Sequence, residues 1–184
     1  GLVTDAATTS THAGTHGTNG TLDKSGILTY TTDNNNIISG NGKAGIYTLD
    51  SGNSTDESQI IGNKIGVDIT GQNIIANHEH GIRLLFTQHL TIGGSGDARN
   101  IISGNNSTGI SIESGSHIQS GSDIIIDNNY IGINKDGDVA LTNQGNGISI
   151  ASASAVYEIT NNVISSNATS GIEFYNVGNA DVPT

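Results

Sequence analysis

The sequence predicts an all-β protein wound as a parallel β-helix of about five to six coils, on three observations. First, the composition is strand-like: 27 Ile stand against 8 Leu, Met and Trp are absent, and 26 of the 184 residues are Gly. Branched side chains pack well on a pleated surface, whereas helices favour Leu, Ala, Glu, Lys and Met. Second, the chain repeats itself. Third, apolar stretches of two to five residues alternate with Gly, Asn, Asp and Ser, which tolerate the left-handed backbone of a tight corner.

The repeat has two alternating units. In the A unit, Asn36-Ile37-Ile38-Ser39-Gly40-Asn41 returns as Asn100-Ile101-Ile102-Ser103-Gly104-Asn105 and as Asn162-Val163-Ile164-Ser165-Ser166-Asn167. A Gly-Ile pair follows each copy, with Ile46, Ile110 and Ile172 ten positions after the leading Asn. In the B unit, Asn63-Lys64-Ile65-Gly66 matches Asn129-Tyr130-Ile131-Gly132, 66 residues on. The register holds through Gly71 and Gly137, Asn77 and Asn143, and Gly81-Ile82 and Gly147-Ile148. Here the Ile follows the Asn by 19 positions, so the B unit carries a nine-residue insertion at one corner.

Strands this short cannot hold a sheet with their sequence neighbours. Each can pair in parallel with its equivalent one unit away, and three strands with three corners make one coil. At about 4.8 Å per coil the rod is about 25–30 Å tall. Two inward columns are expected: Ile37, Ile65, Ile101, Ile131 and Val163 in one, and Ile27, Ile46, Ile82, Ile110, Ile148 and Ile172 in the other. Each buried Ile contributes at most about 1.5–3 kcal/mol. Ordering a residue costs about 1–2 kcal/mol in backbone entropy alone, so one coil cannot stand by itself. Asn36, Asn63, Asn100, Asn129 and Asn162 fall at one corner, where stacked amides can form a hydrogen-bonded ladder.

The β-helix is expected over residues 26–184, with residues 1–25 as an irregular Thr/Gly-rich arm or insertion loop. Neither end has the sequence of a polar or helical cap. The chain therefore reads as a segment of a longer rod, or as a unit that self-associates end to end into a filament.

Charge narrows the partners. Seventeen acids and six bases leave a net charge of −11, and the bases are scattered. No basic stripe exists to neutralise phosphates, so nucleic acid is not an expected partner. No apolar run approaches the roughly 20 residues of a membrane span, so no membrane insertion is expected. The absence of Cys removes disulfides and thiolate metal sites, and the Asn/Thr/Gly-rich composition suits an extracellular or cell-surface setting.

Candidate chemistry is local. His78-Glu79-His80 places two His at i and i+2, which on an extended segment point the same way. Zinc would need at least a third ligand from elsewhere. The matched positions in the other B unit are Gln144 and Asn146, which confines any such site to one coil. Gly93-Gly94-Ser95-Gly96-Asp97 is similar to the calcium nonapeptide of toxin-type β-rolls, but its Asp comes one position early and no tandem copy follows. It reads as the corner before Ile101. Calcium, the one cofactor considered, would find carboxylate and carbonyl oxygens at Asp136 and Asp138. Glycan cleavage needs paired carboxylates, or an acid cluster with an Arg or Lys base. Asp56-Glu57, Asp127, Glu158, Glu173, Arg83 and Arg99 do not assemble such a set in the sequence, so no catalytic residue is assigned.

At the Asn-Ile-Ile-Ser-Gly-Asn…Gly-Ile and Asn-x-Ile-Gly…Gly…Asn…Gly-Ile units, the sequence resembles the right-handed parallel β-helix repeats of pectate-lyase-like surface proteins, over residues 26–175. The resemblance implies the fold. That superfamily includes lyases, hydrolases, epimerases, adhesins and inert stalks, so fold does not dictate activity. The expectation is a non-enzymatic structural or adhesive rod, with corner loops and surface glycans as contacts. The alternative is a polysaccharide lyase or glycoside hydrolase whose site lies partly outside this segment.

Overall fold

The computed structural model describes residues 20–22, 28–30, 36–49, 58–85, 87, 89–113, 123–151 and 156–175. Five coils stack in chain order. Coil 1 contains β2 (Leu28–Tyr30), β3 (Ile37–Ile38) and β4 (Ile46–Leu49), preceded by β1 (Gly20–Leu22). Coil 2 contains β5 (Ser58–Ile60), β6 (Lys64–Ile65) and β7 (Ile82–Leu85). Coil 3 contains β8 (Leu90–Gly93), β9 (Ile101–Ile102) and β10 (Ile110–Glu113), with a single 3-10 turn (Gly96–Ala98) at the glycine-rich corner. Coil 4 contains β11 (Asp123–Asp127), β12 (Tyr130–Ile131) and β13 (Ile148–Ala151). Coil 5 contains β14 (Val156–Thr160), β15 (Val163–Ile164) and β16 (Ile172–Phe174). Coils 1, 3 and 5 are A units; coils 2 and 4 are B units.

Three sheets run up the rod. The first is β1-β2-β5-β8-β11-β14, the second β3-β6-β9-β12-β15 and the third β4-β7-β10-β13-β16. Every coil-to-coil pairing is parallel. β1, within the segment expected to be irregular, pairs antiparallel with β2. The fold is thus a parallel β-helix. Its interior is a continuous apolar cluster that includes Ile60, Ile65, Leu84, Ile92, Ile126 and Ile131.

One Ile column stands as read: Ile46, Ile82, Ile110, Ile148 and Ile172 are successive partners in the third sheet. Ile27 lies outside the described residues. The other column requires a correction. Ile65 pairs with Ile38 and Ile102, and Ile131 with Ile102 and Ile164, so the inward column is Ile38, Ile65, Ile102, Ile131 and Ile164. Ile37, Ile101 and Val163 instead align with Lys64 and Tyr130 on the outer face. Side chains alternate along a strand, so a one-residue slip exchanges faces. A units carry two apolar residues after the Asn; only Lys64 and Tyr130 reveal which of the pair faces outward.

The corner after the second sheet shows that the structural unit is two coils. In A coils the left-handed residue is Gly40, Gly104 or Ser166, at φ 72°, 74° and 58°. In B coils it comes one position earlier after the Asn, at Gly66 and Gly132, with φ 86° and 89°. Ser39 Oγ donates to Val67 O (2.8 Å) and accepts from Gly66 N (3.0 Å). Ser103 repeats this with Ile133 O (2.8 Å) and Gly132 N (2.9 Å). A Cβ on Gly132 would stand 2.1 Å from Ser165 O, so backbone approaches backbone where only glycine fits.

The B-coil insertion follows β6 or β12 and folds as a small hairpin, with antiparallel bridges Val67↔Ile74 and Ile133↔Ala140. In the first hairpin the Asp68 carboxylate accepts from Thr70 Oγ1 (2.7 Å), Gln72 N (3.1 Å) and Asn73 Nδ2 (2.7 Å), an Asx-type closure. Burial opposes ionisation, but these bonds hold the Asp68 carboxyl well below the usual carboxylate range. Asn134 closes the second hairpin, accepting from Asp138 N (3.0 Å) and Val139 N (3.2 Å). Each hairpin lies over the second sheet and reaches the coil before it: Gly40 N donates to Ile75 O (3.1 Å) and Gly104 N to Leu141 O (2.8 Å). A second, smaller core of Val67, Ile101 and Leu141 forms under this cover.

The corrected register predicts unequal costs for adjacent substitutions. Ile65→Ala should lower unfolding free energy by about 2–5 kcal/mol, and Lys64→Ala by less than about 1 kcal/mol, in urea titration. Gly132→Ala should destabilise by more than the about 1–2 kcal/mol of a left-handed alanine, because its Cβ also meets backbone. Gly96→Ala, with nothing within 4 Å of its Cβ, should show the conformational cost alone.

Candidate functional site

Most polar side chains at the corners serve the stack. In the first asparagine ladder, Asn36 Nδ2 donates to Asn63 Oδ1 (2.9 Å), Asn63 to Asn100 (3.2 Å), Asn100 to Asn129 (2.9 Å) and Asn129 to Asn162 (3.0 Å). These side chains are buried through Asn129. A second ladder, which the sequence reading missed, runs Asn41 to Asn77 (2.8 Å), Asn105 (2.9 Å), Asn143 (2.9 Å) and Asn167 (3.0 Å). A constant offset would have revealed it: each member stands five residues before the Ile of the third-sheet column. Remaining amide protons go to backbone carbonyls, as from Asn100 to Ile60 O (2.8 Å) and Asn143 to Ile102 O (2.9 Å). Satisfied on both sides, these buried amides avoid the penalty of an unpaired polar group.

The metal candidates lie apart. His78 is exposed and His80 half-buried, in a bend after the ladder residue Asn77 and not on an extended segment. His78 N and Glu79 N donate to Asn41 O (2.8 Å) and Lys43 O (3.3 Å) of coil 1, which bends the backbone over the corner. Asp136 accepts from Lys135 Nζ (2.7 Å) and Gln72 Nε2 (2.6 Å), and Asp138 accepts from Asn134 Nδ2 (2.9 Å). The Lys135 ammonium holds the Asp136 carboxyl below its ordinary range, with Gln72 assisting. Among the described residues, no three His, Cys, Asp or Glu side chains come together as a metal would need.

The outer face of the third sheet brings charge, an aromatic ring and hydrogen-bonding groups together, as does the second sheet where the Arg99 guanidinium lies 4.1 Å from the Tyr130 ring centroid and bonds Asn128. Tyr47, Arg83, Ser111, Ser149 and Glu173 occupy one register column. Arg83 grips Glu113 of coil 3 with both arms, Nε to Oε1 (3.0 Å) and Nη2 to Oε2 (2.7 Å). Ser111 Oγ adds a third bond to Glu113 (3.2 Å). The guanidinium lies 5.7 Å from the Tyr47 ring centroid, within cation–π range, and Tyr47 is 53% exposed. At the upper end Asn146 Nδ2 donates to Glu173 Oε2 (2.6 Å). Such a face offers a stacking ring beside paired polar groups. Sequence could not show it, because apart from Ser111 and Glu113 these partners lie 27–36 residues apart and meet only through the coil register.

Its proton chemistry is restricted. The Arg83 hydrogen bonds hold the Glu113 carboxyl below its ordinary range, and Glu113 raises the guanidinium in turn. Both therefore stay charged near neutrality, whereas a general acid or base needs a value near the working pH. His80 borders this face. Burial pushes its imidazole below its ordinary value, only partly offset by Glu113. Its Nδ1 is buried with no hydrogen-bond partner among the described residues.

Two measurements follow. Asn105→Ala, in the middle of the second ladder, should cost about 1–3 kcal/mol in urea titration, and Asn41→Ala, at its end, less. Stability should also fall with acid in two stages. His80 has a folded value below its unfolded one, so its contribution is complete above about pH 6.5 and is lost as pH falls toward the folded value. Glu113 and Asp68 are likewise lowered, so theirs is present above the usual carboxylate range and lost at more acid pH. In a stability–pH series, His80→Gln should remove the upper stage, while Glu113→Gln should shrink the lower one.

Comparison with protein-family models, curated proteins and solved structures finds no match, so function has to be read from the side chains themselves.

Proposed function

We propose that the chain is a non-enzymatic structural or adhesive rod of an extracellular or cell-surface protein, related to the pectate-lyase-like β-helices. The observation that carries this reading is the pair of asparagine ladders, each unbroken through all five coils. Together with the dry Ile columns they commit buried polar and apolar side chains alike to stiffness along the axis. The outer face of the third sheet supplies the contact surface. Tyr47 can stack on a sugar ring beside the partly exposed Arg83–Glu113 pair, while Ser111 and Ser149 of the same column are buried.

Polysaccharide cleavage is the second reading, favoured by the same exposed ring beside Arg83 and Glu113. The locked ion pair argues against it. A panel of neutral and uronate glycans, with and without calcium, separates the two. The rod reading expects retention on the panel without release of shorter products, with affinity reduced about two- to tenfold in Tyr47→Ala. Reproducible cleavage by the unaltered chain would overturn it.

A further inference from the structure

One side chain of the His78-Glu79-His80 corner is uncommitted. Glu79 is half-buried, and among the described residues its carboxylate makes no hydrogen bond and no ion pair. Its place is fixed all the same. Glu79 N donates to Lys43 O (3.3 Å) and His80 O accepts from Gly45 N (3.0 Å), so this corner of coil 2 lies against the start of β4. Two positions after Gly45 the chain presents the ring of Tyr47, 53% exposed.

Arg83 links the carboxylate to the ring. It is the register partner of Tyr47, lies 5.7 Å from that ring centroid, and is acted on through space by Glu79 as well as Glu113. Its Nε and Nη2 are engaged by Glu113, to which Ser111 Oγ also donates. The Arg83–Glu113 pair is therefore closed on itself, whereas Glu79 is a carboxylate without a counter-ion near an exposed ring. Lys43, exposed at the coil 1 corner, forms no ion pair among the described residues.

We propose that this site binds a glycan of amino sugars with free amines, Tyr47 lying against the sugar ring and Glu79 taking the ammonium. This rests on the adhesive reading of the rod and names the class of glycan that its third-sheet face selects. An aromatic side chain packs on the apolar side of a pyranose, and its quadrupole attracts a nearby cation. In an amino sugar the nitrogen stands one bond from the ring, so a single sugar residue serves both partners. The net charge of −11 draws polycations toward the chain and repels polyuronates. A lysine-rich peptide would match Glu79 but offers Tyr47 only a flexible methylene stem, so the sugar fits the pair better.

Equilibrium binding of the whole chain to oligomers of glucosamine, N-acetylglucosamine and galacturonate tests this, under conditions that keep the amines protonated. At low salt the amine oligomer should bind about fivefold more tightly than the acetylated one, and the gap should close as salt is raised. Glu79→Gln should erase this preference without weakening the acetylated oligomer. Tyr47→Ala should weaken both about two- to tenfold, and Lys43→Gln neither. Equal affinity for amine and acetylated oligomers would overturn the selectivity while leaving the adhesive rod intact. A preference that persists in Glu79→Gln would reduce it to general attraction by an acidic chain, and the site falls. Tighter binding of galacturonate, or of oligolysine at equal charge, would overturn the choice of ligand. If no glycan binds, both the proposal and the adhesive reading fall.

Discussion

Vertical register is the constraint on which the rest of the molecule depends. Among the described residues no strand is longer than five residues, and from β2 onward each finds its partner a whole coil away, as Ile110 does with Ile82 and Ile148. Such pairing has to offset the entropy of ordering a long intervening loop, a cost that grows only slowly with loop length. The Ile columns supply the apolar free energy but specify register weakly, since one isoleucine resembles another. The asparagine ladders specify it strongly. A coil shifted by one residue would leave two amides per level unpaired inside a dry core, each at about 1–3 kcal/mol.

The two coil types divide the work at the corners. In A coils a serine hydroxyl bridges to the next coil; in B coils a left-handed glycine lets two backbones touch. Neighbouring positions adjust to each other across this boundary. Gly104 sits against Ile74, with the nearest side-chain carbon 2.9 Å from where its Cβ would be. One repeat later the corresponding corner is Ser166, and the residue matching Ile74 is Ala140. A larger corner residue accompanies a smaller hairpin residue.

Much of this architecture was legible in the sequence because it is periodic. The third-sheet Ile column and the first ladder follow from the Asn-to-Ile offsets, ten in every A unit and 19 in every B unit. The second ladder is equally periodic, but Asn77 and Asn143 follow the leading Asn of their unit by 14 positions, against five for Asn41 and Asn105, so the insertion masks it. The second-sheet column was misread for a physical reason: paired isoleucines after Asn36 and Asn100 carry no alternation, and the outer member is itself covered by a hairpin, so both are buried. The face built from Tyr47, Arg83 and Glu113 lay beyond reach, since no local pattern announces contacts that exist only once coils are superposed. His78 and His80 looked extended in isolation; their backbone bonds to coil 1 make them a bend.

The hairpins have a mechanical consequence. Gln72 of the first donates to Asp136 of the second and accepts from Asn134, and Lys135 N bonds Gly71 O. Coils 2 and 4 are thus stapled to each other across coil 3. Stacked repeats with nearest-neighbour contacts alone can fray one repeat at a time from either tip. Here the loss of coil 4 strips a clasp from coil 2 as well, so peeling should advance in double steps and favour rods with whole A–B pairs held between their tips.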